Sequence, residues 1–193
     1  MRKIESVHLD QFTVKTELSV FGFSLAGFES ELELAREAVA DLRSVHPEST
    51  PSNVKAAYMS PWKSHLLTDK FGPLIAVMSD LIMKAYLQFL NTDLSGLNYV
   101  LCVADCWCAI YEATDHSIAH THFPSDFATV IYLDIDGDAA PIVFANSLVV
   151  QPVSGSALIF PGLLEHHVPA TKGRRVIVAI NFIKMPAFDR VAS

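Results

Sequence analysis

The sequence predicts an α+β chain, mainly β, built as a β-sandwich or jelly roll with N-terminal helices packed on one sheet. Three observations point there. Two amphipathic helical segments fall in the first half, short β-rich runs fill the second half, and clusters of turn residues separate those runs. A length of 193 residues with 51% hydrophobic composition suits a single domain over residues 1–193, with residues 1–97 as helical support and residues 98–193 as the β core.

Residues 2–25 alternate loosely and read as one or two strands ending near Gly27. From Glu29 to Val45, Leu32, Leu34, Ala35, Ala38, Val39 and Leu42 recur at helical spacing with charges between them, and Pro47 closes the helix. His46 to Asn53 is a loop rich in proline, serine and threonine. A second helix is expected from Phe71 to Leu90, ending before Asn91 and Gly96. The strands expected after it are Tyr99–Ala104, Trp107–Tyr111, Phe127–Leu133, Ile142–Phe144, Leu148–Val150, Ala157–Phe160 and Val176–Ile183. Asp136-Gly137-Asp138, Pro152, Ser154-Gly155, Pro161-Gly162 and Lys172-Gly173 separate them as turns.

Composition excludes several classes. With 14 Lys+Arg against 21 Asp+Glu the net charge is −7, so no nucleic-acid partner is expected: a phosphate backbone would be repelled. Disorder and coiled-coil architectures need far more polar or more periodic sequence. The apolar stretch Leu18 to Phe28 is too short for a bilayer, and the one from Pro73 to Leu90 is interrupted by Asp80, Lys84 and Gln88. No membrane association is expected. Cys102, Cys106 and Cys108 are odd in number and crowded together, which reads as buried strand cysteines in a reduced cytoplasm. The apolar second helix allows a homodimer interface.

Eight histidines stand out in so weakly charged a chain. His120 and His122 form an H-x-H pair, which an extended backbone would place on one face. Two such imidazoles can grip a transition metal, and His166, just after Pro161-Gly162, is the natural third ligand. His116 and His167 read as supporting or exposed residues. His8, His46 and His65 lack partners in sequence. Arg175 opens an apolar strand in which Arg175, Ile177, Ala179 and Asn181 share one face. A buried arginine keeps its charge, so a ligand carboxylate would be a fitting mate. A one-residue slip would instead turn Arg175 outward and put Arg174 or Val176 inside.

These residues together resemble the iron(II)/2-oxoglutarate-dependent dioxygenases, and most of all a small branch of that superfamily. The resemblance runs through His120-Thr121-His122-Phe123-Pro124, Val130-Ile131-Tyr132-Leu133 and Gly155-Ser156-Ala157-Leu158-Ile159-Phe160-Pro161-Gly162. It continues through Leu164-Glu165-His166-His167-Val168-Pro169 to Arg175–Asn181, and Trp62 to Leu66 is similar to a segment upstream of the barrel.

The resemblance implies a double-stranded β-helix of the jelly-roll or cupin-like kind. It also implies iron(II) held by His120, His122 and His166, with 2-oxoglutarate as cosubstrate, dioxygen as co-reactant and a small molecule or protein as the oxidised substrate. Arg175 is then the anchor for the far carboxylate of 2-oxoglutarate, with Tyr132 and Asn181 as further cosubstrate contacts. Most of the superfamily has H-x-D where this chain has H-x-H, so Asp126, which shares the strand parity of His122, is an alternative carboxylate ligand. Two other classes remain open: a cupin-like metalloenzyme that does not use 2-oxoglutarate, and a non-catalytic β-sandwich binding module.

Overall fold

The computed structural model describes residues 16–90 and 99–187. The strand expected before residue 16 and the turn at Asn91 to Gly96 lie outside the described residues. No helix among the described residues is long and apolar enough to cross a membrane.

Eleven strands form two sheets in the described chain. Chain order runs β1 (Phe21–Ser24), α1 (Glu29–Val45), β2 (Val54–Lys55), β3 (Tyr58–Met59), α2 (Gly72–Leu90) and β4 (Tyr99–Tyr111). Then come β5 (His116–His120), β6 (Phe127–Ile135), β7 (Ile142–Phe144), β8 (Leu148–Val150), β9 (Ser156–Pro161), β10 (His166–Val168) and β11 (Arg175–Pro186). The major sheet has the order β1-β9-β6-β11-β4-β3 and the minor sheet β2-β5-β10-β7-β8. From β4 onward the chain passes between the sheets at nearly every connection, as in a double-stranded β-helix.

Helix α1 follows the predicted bounds. Glu29 and Glu31 in its first turn complement the helix dipole, and Glu29 also accepts a hydrogen bond from the Gly27 N–H at 2.9 Å. Its buried face is Leu32, Ala35, Ala38, Val39 and Leu42, the residues that carried the periodicity. That face and Leu74, Met78 and Ile82 of α2 cover the outer side of the major sheet, against Cys106, Cys108, Ile110, Ile131, Ile159, Val176, Val178 and Ile180. The intervening residues, Trp107, Ala109, Tyr111, Val130, Tyr132, Leu158, Phe160, Ile177 and Ala179, point between the sheets with Ile142, Phe144 and Val168. Period-two alternation thus divides the apolar half of the sequence into two cores. The cysteines are free thiols, and Cys106 and Cys108 are buried on the helix side.

Three differences from the sequence reading have physical causes. The two expected strands from Tyr99 to Tyr111 are one, because β11 pairs along their whole length with a register shift between Asn181 and Phe182. The N-terminal region is not purely helical: β1, β2 and β3 extend the sheets by pairing with β9, β5 and β4. Strands β5 and β10 carry polar histidine-rich sequence without strand propensity, so backbone pairing and site geometry define them instead.

Candidate metal centre and anion cleft

Strands β5 and β10 run antiparallel with His120 directly opposite His166. Their imidazole centroids are 4.4 Å apart. His122 lies two residues beyond β5, in a turn fixed by two backbone bonds: its N–H donates to Gly162 O at 2.7 Å, and its carbonyl accepts from Ser125 N at 2.9 Å. The close approach needs Gly162, since a Cβ there would lie 2.0 Å from Ser125 O. One ligand atom from each of His120, His122 and His166 falls within 4.8 Å of the others.

Hydrogen bonds orient the rings. The Nδ1–H of His120 donates to Ile118 O at 2.7 Å, and that of His166 donates to Leu164 O at 3.0 Å. A carbonyl only accepts, so these bonds place the proton on Nδ1 and leave Nε2 as a lone-pair donor. His122 Nε2 is 3.3 Å from His166 Nε2. Two nitrogens that close need a proton or a cation between them. Burial, then the neighbouring imidazoles, lowers His122 to about 2, and burial first lowers His166 to about 4. His120 is lowered too, by burial. The three rings are therefore held neutral, the state that coordination of a metal would require. Phe160, Phe144 and Trp107 pack around them, with Phe160 4.8 Å from the His166 ring.

Asp126 is not part of this group. Its carboxylate accepts from Lys184 N at 2.7 Å and pairs with Lys184 Nζ at 3.1 Å. His116 is exposed on β5, His46 follows α1 and His65 lies in a short helical turn, none of them in the triad. His8 lies outside the described residues.

Arg175 faces the interior and is 1% exposed, so the one-residue slip does not occur. It stands opposite Tyr111 on β4, and its guanidinium lies 5.0 Å from the Tyr111 ring and 5.3 Å from the Tyr132 ring. One N–H group donates to Ala140 O at 3.0 Å, while Nε is buried without a partner among the described residues and the buried Tyr132 hydroxyl lies beside the guanidinium. No carboxylate pairs with it among those residues. Two aromatic faces and one carbonyl compensate only part of the charge. A cavity of about 40 Å³ is bounded at once by His120, His122, His166 and Arg175, with Tyr111, Ser117, Thr129 and apolar residues completing the wall. A metal at the triad and an anion at Arg175 would share that space.

Asn181 shares the inner face with Arg175, as alternation required, but it stands opposite Asp105 and lines a different space. This second pocket, of about 200 Å³, lies beside His120 and His122 and includes Trp62, Trp107 and Phe123. Sequence reasoning passed over Tyr111 and Trp107 as ordinary strand residues. Their shared parity with Ala109, opposite the cysteine face of β4, is the signal that places them inside.

No family model matches the sequence, and no curated protein matches it significantly. Solved structures do. A prolyl hydroxylase from Trichoplax adhaerens, in complex with a hypoxia inducible factor peptide, aligns with a TM-score of 0.63 at 14% identity, over 85% of this chain and 83% of that one. A prolyl-4-hydroxylase from Pseudomonas putida aligns at 0.57 and 17% identity, over 86% and 92%. The non-heme alpha ketoglutarate dependent epimerase SnoN of nogalamycin biosynthesis aligns at 0.61 and 14% identity, over 90% and 82%. Hydroxylases and an epimerase on one scaffold mean that fold alone does not name a reaction. The chain has the double-stranded β-helix fold of the 2-oxoglutarate/iron(II) oxygenases.

Proposed function

We propose that the chain is a non-haem iron(II)- and 2-oxoglutarate-dependent dioxygenase that hydroxylates its substrate. One observation carries this reading: a single cavity joins three neutral imidazoles, two of them oriented by backbone carbonyls, to a buried arginine without a carboxylate partner. His120, His122 and His166 would hold the iron. Arg175 would bind the far carboxylate of 2-oxoglutarate, with Tyr132 packed beside its guanidinium as a further contact. Iron with 2-oxoglutarate supplies dioxygen activation, coupling decarboxylation to succinate with oxidation of the substrate.

The protein's own residues orient and surround. The carbonyls of Ile118 and Leu164 fix the tautomers of His120 and His166, so both are ready to coordinate without a proton transfer. Phe160, Ile142, Val168 and Ile177 line the space between triad and arginine with apolar surface, which would strengthen the ion pair expected there.

Succinate release with iron(II), with and without 2-oxoglutarate, tests the proposal. Succinate is expected only when both are present, and His166→Ala is expected to abolish iron binding. Iron binding unchanged in that variant would overturn the ligand assignment. A second reading, a cupin-like metalloenzyme that does not use 2-oxoglutarate, draws on the all-imidazole ligand set and the narrow cavity. In that case Arg175→Ala leaves 2-oxoglutarate affinity untouched.

A further inference from the structure

The aromatic side chains packed against the triad differ in how readily they lose an electron. Phenylalanine resists one-electron oxidation, so among the described residues Trp107, and not Phe144 or Phe160, is the oxidisable ring there. Its centroid lies 5.6 Å from that of His122, at a tilt of 35°. Trp62 stands edge-on to Trp107 in turn, with 4.9 Å between centroids. Backbone contacts fix this second pair. The Cys106 N–H, next to Trp107 in β4, donates to Trp62 O at 2.9 Å, and Lys63 forms a parallel bridge with Cys106. Trp107 is 3% exposed and Trp62 37%. The two tryptophans of the chain therefore run in ring contact from a triad imidazole to the surface.

We propose that Trp107 and Trp62 form an electron path that carries oxidising equivalents from the triad to solvent when no substrate consumes them. The path rests on the proposed iron centre as the source of the oxidant, and adds to it a protective route that hydroxylation does not need. In each passage Trp107 gives one electron to the oxidant at the triad and regains it from Trp62. Trp62 releases its indole proton to water and is left as a neutral radical, which a soluble thiol restores with one electron and one proton. Two passages, with two protons taken up from solvent, complete the reduction to water. The sum is 2-oxoglutarate, dioxygen and two thiols giving succinate, carbon dioxide, water and one disulfide. Burial sets the direction. Trp107 Nε1 is buried without a hydrogen-bond partner among the described residues, so an oxidised Trp107 keeps its proton and carries a charge that no solvent stabilises. Trp62 reaches water, which relieves both. Tyr111 and Tyr132 are poorer donors. They flank the Arg175 cation, and burial pushes Tyr111 up to about 12 and raises Tyr132, so neither readily sheds the proton that its oxidation must release.

The test incubates the whole chain with iron(II), 2-oxoglutarate and dioxygen, without substrate and without thiol, so that radicals go on to stable products. Freeze-quench electron paramagnetic resonance detects an indolyl radical, and peptide mass spectrometry locates the oxidised residues, both counted per bound iron. An indolyl radical and products concentrated on Trp62 are expected, and added thiol is expected to suppress the products. Trp107→Phe cuts the path and is expected to lose the Trp62 products, with oxidation falling on the triad histidines instead. Trp62→Phe, a change at a partly exposed position, keeps the test open should Trp107→Phe fold poorly. There the products are expected to move back to Trp107, and the protein to inactivate severalfold sooner. Trp62 oxidised as much per iron in Trp107→Phe as in the parent would mark a diffusing oxidant and overturn the path. Neither tryptophan oxidised in the parent, or Trp62→Phe lasting as long as the parent, would overturn it too. Hydrogen peroxide in place of 2-oxoglutarate and dioxygen supplies an oxidant at bound iron directly, so the path is tested even in a chain that does not use 2-oxoglutarate. Succinate release and Mn(II) binding test the proposed centre separately, and a triad that binds no metal overturns both readings.

Discussion

His120 and His166 face each other across paired strands, and each donates its Nδ1 proton to a carbonyl of its own chain segment two residues earlier. This local device leaves two neutral imidazoles with free Nε2 lone pairs, without the help of a carboxylate. It carries a cost in acid. In the unfolded chain these imidazoles take up protons near the ordinary value of 6.5, whereas burial holds His166 at about 4 and His122 at about 2 when folded. The unfolded state therefore binds more protons below about pH 6.5, and stability falls as pH drops from there. Thermal melting of metal-free protein should show a melting temperature that declines below about pH 6.5, less steeply in His122→Phe. A profile as steep in that variant as in the parent would contradict the assignment. Arg175 makes a second prediction at this scale. A buried charge without a carboxylate partner adds little to folding, so Arg175→Met should melt at or above the parent temperature. The same variant should lose stabilisation by added 2-oxoglutarate.

At the scale of elements, the site depends on one turn and one crossing. Gly162 lets the end of β9 lie against the turn that positions His122, and a Cβ would meet Ser125 O. Gly162→Ala should destabilise the fold by about 1–3 kcal/mol through overpacking. It should also weaken Mn(II) binding by about 10–100-fold, as for lost support of a ligand. Denaturant unfolding and metal titration measure the two effects, and an unchanged metal affinity would show that the turn does not place His122. The legibility of the sequence divides along the same line. Helix α1 was readable to the residue because Leu32, Ala35, Val39 and Leu42 repeat at helical spacing; that Arg175 shares a face with Ile177 and Ala179 was readable too, but not that this face turns inward, which the burial of Arg175 decides. Strands β5 and β10 were not, since His116–His120 and His166–Val168 carry little β-propensity and are held by pairing with each other. The mouth pocket was also invisible. Asn53, Trp62, Asp105 and Asn181 come from four separate segments, and only the β4–β11 register and the folding-back of residues 53–62 unite them.

Across the whole molecule, the alternation of β4, β6, β9 and β11 separates two duties. One face of the major sheet anchors α1 and α2, and the other forms the walls of the site. Mutations on the helix face should therefore change stability without changing the chemistry. Met78→Ala, at a fully buried position on the inner face of α2, should cost about 2–5 kcal/mol in denaturant unfolding and leave the metal affinity of the folded protein unchanged. Arg36, which ties α1 to β6 through Asp134 at 3.0 Å, is a third exposed, so Arg36→Ala should cost no more than about 1 kcal/mol. The central claim is that triad and arginine form one binding unit across the barrel interior. Calorimetric titration of 2-oxoglutarate into Mn(II)-loaded protein tests it most directly. Binding that requires both the metal and Arg175, and disappears in Arg175→Met while Mn(II) affinity persists, is the result predicted; binding indifferent to Arg175, or absent from the metal-loaded parent protein, would contradict it.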